Sequence, residues 1–464
     1  MLYRTSILVL AAVVLAGCGD DGGGACDPVA ATGCDDGQVC ELVGGGAPAC
    51  FAPVVIAGRV FDLASGGPIA GARIVAVDAN GAPAGSVAVS DAEGAYAVGI
   101  ATTRAADGTP VGGSAVTLRA DAAGYLTFPS GVRSALPIDT RAPVADGDRF
   151  VVSSDLTDIG LLALTGAPGG QIHGEAAVND THAPVLVVVE SAALGAVRGR
   201  SAIADRDGDY RLYNLPAGDY TVTAYAAGHS YPTKTVSLAA GQDAAVDLAL
   251  DEAATATLSG SVQLVNPQAG TATSVILVVE STFDPRLVRG DSPAGLRAPG
   301  PPSAPDVTGA FRIEGVPAGR YVVLAAFEND QLVRDASSIG GTEIVHQLVE
   351  AGQDVAIAES FKVTGAVELV GPGADGPELV VGTPVFRWID DSSEDRYRLT
   401  VFDAYGAEVW THVEPSGARD PSTTYAGPAL RSGMTYQFRV VSIKDPAEEL
   451  SRSEELRGVF TITQ

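Results

Sequence analysis

Lysine is almost missing from this chain of 464 residues, and aromatic residues make up only 6 % of it. Lys and Arg together number 29 against 56 Asp and Glu, for a net charge of −27. That balance excludes nucleic acid as a partner, because too little positive charge is present to neutralise phosphates. It also disfavours electrostatic capture of an anionic lipid surface. The scarcity of aromatics leaves little to stack on sugar faces; Tyr225, Tyr231 and Trp410 are the spare candidates, with core contacts the simpler reading of each. The five histidines are scattered and form no H-E-x-x-H pair. His173 and Glu175 share a strand face across Gly174, and with His182 they offer zinc-ligand types, though solvated side chains explain them as well. No G-x-S-x-G elbow is present. Gly371 to Gly376 fits G-x-G-x-x-G, but Pro372 removes an N–H and no helix follows, so a loop is expected. The sequence thus predicts no catalytic residues, no metal site and no cofactor.

Long apolar runs are also lacking. Ile7 to Ala16 is the one candidate, and it is too short to span a bilayer. It follows Arg4 and ends in Leu15-Ala16-Gly17-Cys18, which resembles the lipobox of bacterial lipoproteins. The resemblance implies that residues 1–17 are a signal peptide, cleaved before Cys18, and that Cys18 carries the lipid. The chain is then exported and anchored in the cell envelope, with the outer membrane favoured over the inner.

Beyond Cys18 the remaining cysteines are Cys26, Cys34, Cys40 and Cys50. An even cluster in an exported chain reads as two disulfides, with three pairings open. A metal reading fails, because no C-x-x-C pair exists and the compartment is oxidising. Residues 18–53 thus form a lipidated spacer and a stapled module, each bridge adding on the order of 2–4 kcal/mol.

What is abundant is Gly, Pro and short β-branched runs, the signature of many strands and turns. The chain also repeats itself. Three segments open on a glycine-bearing strand at Gly58, Gly174 and Gly260. Each reaches a turn that holds an Asp, a Gly and an aromatic: Asp91-Gly94-Tyr96, Asp205-Gly208-Tyr210 and Asp306-Gly309-Phe311. The middle turn, Asp205-Arg206-Asp207-Gly208-Asp209, has the acidity of a calcium loop. Its extra aspartates are not shared, however; Glu93 and Thr308 stand for Asp207, and Ala95 and Ala310 for Asp209. What recurs is what a hairpin needs, so a turn is expected, with a weak cation site as the alternative. The second and third repeats also share a Pro-Ala-Gly-x-Tyr corner, at Pro216 to Tyr220 and Pro317 to Tyr321.

These motifs resemble the carboxypeptidase regulatory-like domains, the transthyretin-like β-sandwiches, over about Val54 to Ala358. The last hundred residues resemble a fibronectin type III domain, with Trp388 as core tryptophan and Tyr436 as corner tyrosine. The expected fold is all-β, with tandem Greek-key or immunoglobulin-like sandwiches at 54–166, 167–253, 254–360 and 361–464. Arg289-Gly290-Asp291 has the form of an adhesion tripeptide, with chance occurrence the simpler reading, and is expected on an exposed, flexible Pro/Gly-rich loop of the third sandwich. The function expected is a non-enzymatic, lipid-anchored structural, adhesion or ligand-presenting stalk. Its partners are the membrane, through the lipid, and a candidate glycan or envelope protein. A carbohydrate-binding lipoprotein and an enzyme with an unrecognised site are the alternatives.

Overall fold

The computed structural model describes residues 26–463, leaving aside 29–30, 45, 78–82, 112–115, 131–136, 167–168, 178–183, 266–269, 301–304, 327–329, 392–393 and 418–419. Cys18 and His182 lie outside the described residues. Strands make up 53 % of the described residues, which contain no α-helix, so the fold is all-β. None of their helical turns is long and apolar enough to cross a membrane.

The second sandwich shows the plan of all three repeats. One sheet sets Asp209–Leu215, Gly170–Glu175 and Asp243–Ala245 side by side; the other sets Gly199–Ile203, Leu186–Glu190, Gly218–Tyr225 and Lys234–Leu238. The first strand pairs antiparallel with the fourth and parallel with the seventh, as a Greek-key crossing requires. The third sandwich repeats this order and adds Leu332–Arg334 to the edge. The first sandwich repeats it too, with Ile159–Leu161 as the parallel partner of Val54–Asp62. Its two sheets are joined where Gly85 pairs with Ile100.

The recurring glycine and aromatic turn out to be one packing unit. Gly58 pairs across strands with Tyr96, Gly174 with Tyr210, and Gly260 with Phe311. Each ring is buried. A Cβ on Gly58 would lie 2.9 Å from the Tyr96 hydroxyl, and one on Gly260 2.7 Å from the Phe311 ring. With the side chain absent, the Tyr96 hydroxyl reaches the Thr157 carbonyl at 2.5 Å, and Tyr210 reaches that of Val246 at 2.5 Å. The corner tyrosines are equally repetitive: Tyr220 donates to Pro216 O at 2.7 Å and Tyr321 to Pro317 O at 2.9 Å.

The strand closing the third sandwich, Asp354–Gly365, runs past the boundary expected at residue 360. Phe361 and Val363 continue the burial on the core face, and the strand stays paired with Ser261 to Leu264. In the C-terminal sandwich, Leu369–Gly371, Val385–Trp388 and Ser422–Thr424 face a sheet centred on Thr435–Lys444 and Arg396–Asp403. Trp388 is buried edge-on to Tyr397, and the Tyr436 hydroxyl accepts from Arg431 N at 2.8 Å.

The sandwiches do not string out as a stalk. Asn214 of the second clamps a loop of the first, donating to Ala122 O and Tyr125 O and accepting from Gly124 N at 2.7 Å. At the same place in the next repeat, Gly315 of the third accepts from Gly228 N of the second at 2.7 Å. One Ala-Ala-Gly loop after another is thus gripped by the following sandwich. The C-terminal sandwich then returns to the first: Tyr405 donates to Gly160 O and accepts from Leu162 N, both at 3.0 Å, and packs edge-on to Phe128. Contacts 1–2, 2–3, 3–4 and 4–1 close a circuit.

Candidate functional site

Two stretches that looked chemical in the sequence, the Asp205 turn and Arg289 to Asp291, lie at joints of this circuit. The disulfides are Cys26–Cys40 and Cys34–Cys50, which fixes one of the three pairings. Sulfurs of Cys26, Cys34 and Cys50 lie close enough to resemble a metal cluster, but all three are spent in these bonds. The hairpin that carries two of the cysteines, Val39–Leu42 with Pro48–Phe51, also brings Glu41 onto the first sandwich. Glu41 meets Arg104 at 2.5 Å, with the two side chains 6 % and 0 % exposed. Its other oxygen accepts from the Thr102 N–H and hydroxyl, each at 3.0 Å. Arg104 also donates to Ala52 O at 2.6 Å and lies over the rings of Phe51 and Phe150. This pair was invisible in the sequence, since a lone Glu and a lone Arg far apart carry no pattern.

The Asp205 turn is a hairpin, as its repeat context indicated. Asp205 Oδ1 accepts from the N–H groups of Asp207 and Asp209 at 3.2 and 2.8 Å, and Asp91 does the same for Glu93 and Ala95. Gly94 and Gly208 take φ of +76° and +95°, conformations that only glycine adopts without strain. The third turn is built differently, since Gly309 does not enter that region. The other Asp205 oxygen lies 3.6 Å from the Arg73 guanidinium of the first sandwich, which also donates to Asp209 O at 2.9 Å. Arg73 thus sets a positive charge beside this turn.

The Arg-Gly-Asp tripeptide is not on a free loop. Arg289 donates to Pro129 O of the first sandwich at 2.9 Å, and burial pulls its pKa down. Asp291 accepts from Ser201 Oγ of the second at 2.8 Å and lies 3.5 Å from Arg119 of the first. Arg119 donates to Ser201 O at 2.6 Å, Ser201 Oγ at 3.0 Å and Asp121 at 3.0 Å. Burial works against the Arg119 charge, but Asp121 and Asp291 outweigh it and its pKa stands above the ordinary value. A Cβ on Gly290 would sit 2.3 Å from Val278 Cγ1. The expected exposure is overturned because the tripeptide fills the junction of three sandwiches.

Tyr225 and Tyr231 are buried, the latter donating to Ala177 O at 2.9 Å, so neither is a stacking platform. Trp410 is half-buried against Tyr425 and stacks on His412. His173 lies 3.5 Å from Asp243, and the 371–376 stretch forms no helix.

One place has the marks of a functional site that the sequence did not suggest: the seam between the third and C-terminal sandwiches. Buried polar atoms without a partner gather there, namely Asp330 Oδ2, Thr273 Oγ1 and Arg439 Nη2. So does backbone strain in residues other than glycine, with φ of +49° at Val288, +57° at Ala326 and +63° at Gln331. Val288 and Ala326 line a cavity of about 30 Å³ together with Leu332, Arg334, Arg452 and Glu454. Gln331 N donates across the seam to Glu454 Oε1 at 2.8 Å, and Glu454 meets Arg457 at 2.6 Å.

These features define an all-β protein of packed sandwiches with polar clasps between them. Residues 176–251, within the second sandwich, match the carboxypeptidase regulatory-like domain, so that domain is present there. No curated protein matches the chain. Among solved structures, the TIE protein of Bacillus anthracis is similar at 12 % identity and a TM-score of 0.16, over 85 % of this chain and 66 % of that one. The minor pilin of Streptococcus agalactiae is similar at 16 % and 0.20, over 44 % and 99 %. A DUF3823 family protein of Parabacteroides merdae is similar at 9 % and 0.16, over 64 % and 100 %. Scores this low carry no argument about function.

Proposed function

We propose that the protein is a non-enzymatic, lipid-anchored structural or adhesion component of the bacterial cell envelope. Cys18 holds it to the membrane, and the sandwiches form a compact head at the end of a short spacer. The observation that carries this reading is where the polar side chains go. Arg73, Arg119, Asp205, Arg289 and Asp291 join one sandwich to another. Binding, in such a protein, belongs to inter-strand loops and open sheet edges. The C-terminal sandwich carries the buried Trp388 and the Tyr436 corner bond, which support its fibronectin type III-like reading. The outer membrane is the proposed site of the anchor.

Protease shaving of intact cells, with fractionation of the native chain and the Cys18→Ala variant, tests this. The native chain should fractionate with membranes and the variant should not. Identical fractionation of the two would end the lipid-anchor reading. Removal of the head by external protease would place it on the cell surface.

A further inference from the structure

We propose that the seam between the third and C-terminal sandwiches is a proton-controlled joint, closed when Asp330 carries a proton and loosened when Asp330 ionises beside Glu454. Three observations meet there. First, Asp330 enters the seam with one oxygen satisfied, Oδ1 accepting from Leu332 N at 3.0 Å, and the other buried without a partner. A carboxylate cannot be left in that state cheaply, whereas a carboxylic acid can turn its O–H toward a neighbouring oxygen. Thr273 is the buried neighbour; its hydroxyl favours the ionised form, but burial outweighs it, and no hydrogen bond of ordinary geometry joins the two side chains.

Second, the charges facing Asp330 do not neutralise it. Glu454, on the loop that follows Glu448–Arg452, is buried and adds like charge. Arg457 of the same loop is committed to Glu454 at 2.6 Å. Arg452 pairs with Glu449 at 3.3 Å. Arg334, on the strand after Asp330, donates to Thr342 O at 2.8 Å, and burial pulls its pKa down. Arg439, on Thr435–Lys444, lies at Leu287 O, with burial lowering its pKa and Glu455 opposing the drop. Asp335 sits beyond Arg334 toward Lys362. None of these cations forms an ion pair with Asp330 among the described residues.

Third, strained backbone flanks Asp330 at Ala326 and Gln331, and the strained Val288 and Ala326 line the cavity. Strain of this kind persists only while surrounding contacts enforce it, so a seam that loses one contact is poised to relax. The closed circuit of sandwiches would then open at this joint while the others hold.

Burial, with Glu454 adding to it, pushes the Asp330 pKa up to about 7 from 3.8, and burial also raises that of Glu454. The closed seam therefore binds the proton more tightly than an open one. Closure is fully favoured below the open-state value and is lost progressively as pH rises toward about 7. Between pH 5 and pH 8 the opening equilibrium should rise by up to about two orders of magnitude.

The test is amide hydrogen exchange on the full chain from pH 5 to pH 8, corrected for intrinsic rates. The reporters are Gln331 N, bonded to Glu454, and Ala366 N, bonded to Gln331 O at 3.0 Å. Their protection should fall with rising pH, while Val440 N, bonded to Ser453 Oγ inside the C-terminal sandwich, keeps its own. Asp330→Asn, which mimics the protonated acid, should hold the seam closed at all pH values. Asp330→Ser, smaller and uncharged, should also flatten the profile to the part that Glu454 contributes, even if it lowers protection throughout. Protection at Gln331 and Ala366 that is flat with pH in the native chain would overturn the proposal. So would a native-like pH profile in either variant.

Discussion

Replacing Arg119 by Met should do more damage than its surface-like sequence context suggests. The guanidinium makes three hydrogen bonds of 2.6 to 3.0 Å, to Ser201 O, Ser201 Oγ and Asp121. It also faces Asp291 at 3.5 Å. Met fills most of the volume but leaves the half-buried carboxylates of Asp121 and Asp291 and the Ser201 carbonyl without their shared donor. Removing one partner of a buried charge group costs about 3–5 kcal/mol, mostly from the charge left behind. The second variant, Asp291→Asn, takes away part of that charge, so the double variant should recover 1 kcal/mol or more, roughly, relative to the sum of the two. The assay is a urea titration read by amide exchange at Asp291 N, which donates to Thr282 Oγ1 at 2.9 Å. Local exchange is preferable to a single melt, because a chain of several sandwiches need not unfold in one step. If Arg119→Met lies within about 0.5 kcal/mol of the native chain, the range of ordinary surface changes, the clasp is not holding the sandwiches together. Strict additivity in the double variant would remove the Arg119–Asp291 coupling.

Gly290→Ala should destabilise the junction by about 1–3 kcal/mol through overpacking on Val278, read by the same exchange; a neutral result would return the tripeptide to a free loop. Tyr210→Phe should cost about 1 kcal/mol by deleting the bond to Val246 O, as measured by thermal melting of the chain, and the third repeat already carries Phe311 there. Calcium should not raise the melting temperature, since a site filled at 100 times its dissociation constant would add about 2.7 kcal/mol; a clear upward shift that Asp205→Asn abolishes would contradict the Arg73 reading. Glu41→Gln should leave both disulfides intact by mass spectrometry yet raise exchange at Thr102 N, because the module then loses its buried charge pair.

The repeating parts of the molecule were legible because repetition separates what a fold needs from what is incidental. Comparing three turns identified Asp, Gly and the aromatic as hairpin chemistry, and the bonds of Asp91 and Asp205 agree. It did not reveal that Gly58 and Tyr96, or Gly174 and Tyr210, face each other, since that is a matter of register between distant strands. The even cysteine count promised two bridges and left the pairing open, because pairing depends on a hairpin that sets Cys40 opposite Cys50. What sequence reading missed are the joints. Arg104, Arg119 and Asp291 have partners far along the chain, Asp330 meets Glu454 only through the fold, and each alone looks like a solvated charge. The tripeptide at Arg289 was misplaced for the same reason: a Pro/Gly-rich segment reads as free when the surface covering it belongs to another sandwich.

The central claim is that the sandwiches close on one another instead of extending. Small-angle scattering from the chain that begins at Cys18, carrying Cys18→Ala so that it stays in solution, tests this most directly. A single packed body of this length should have a radius of gyration of about 22 Å. Four sandwiches set end to end would give about 40 Å, from units of about 13 Å each. A value near the first at pH 5 supports the closed circuit; a value near the second under the same conditions contradicts it.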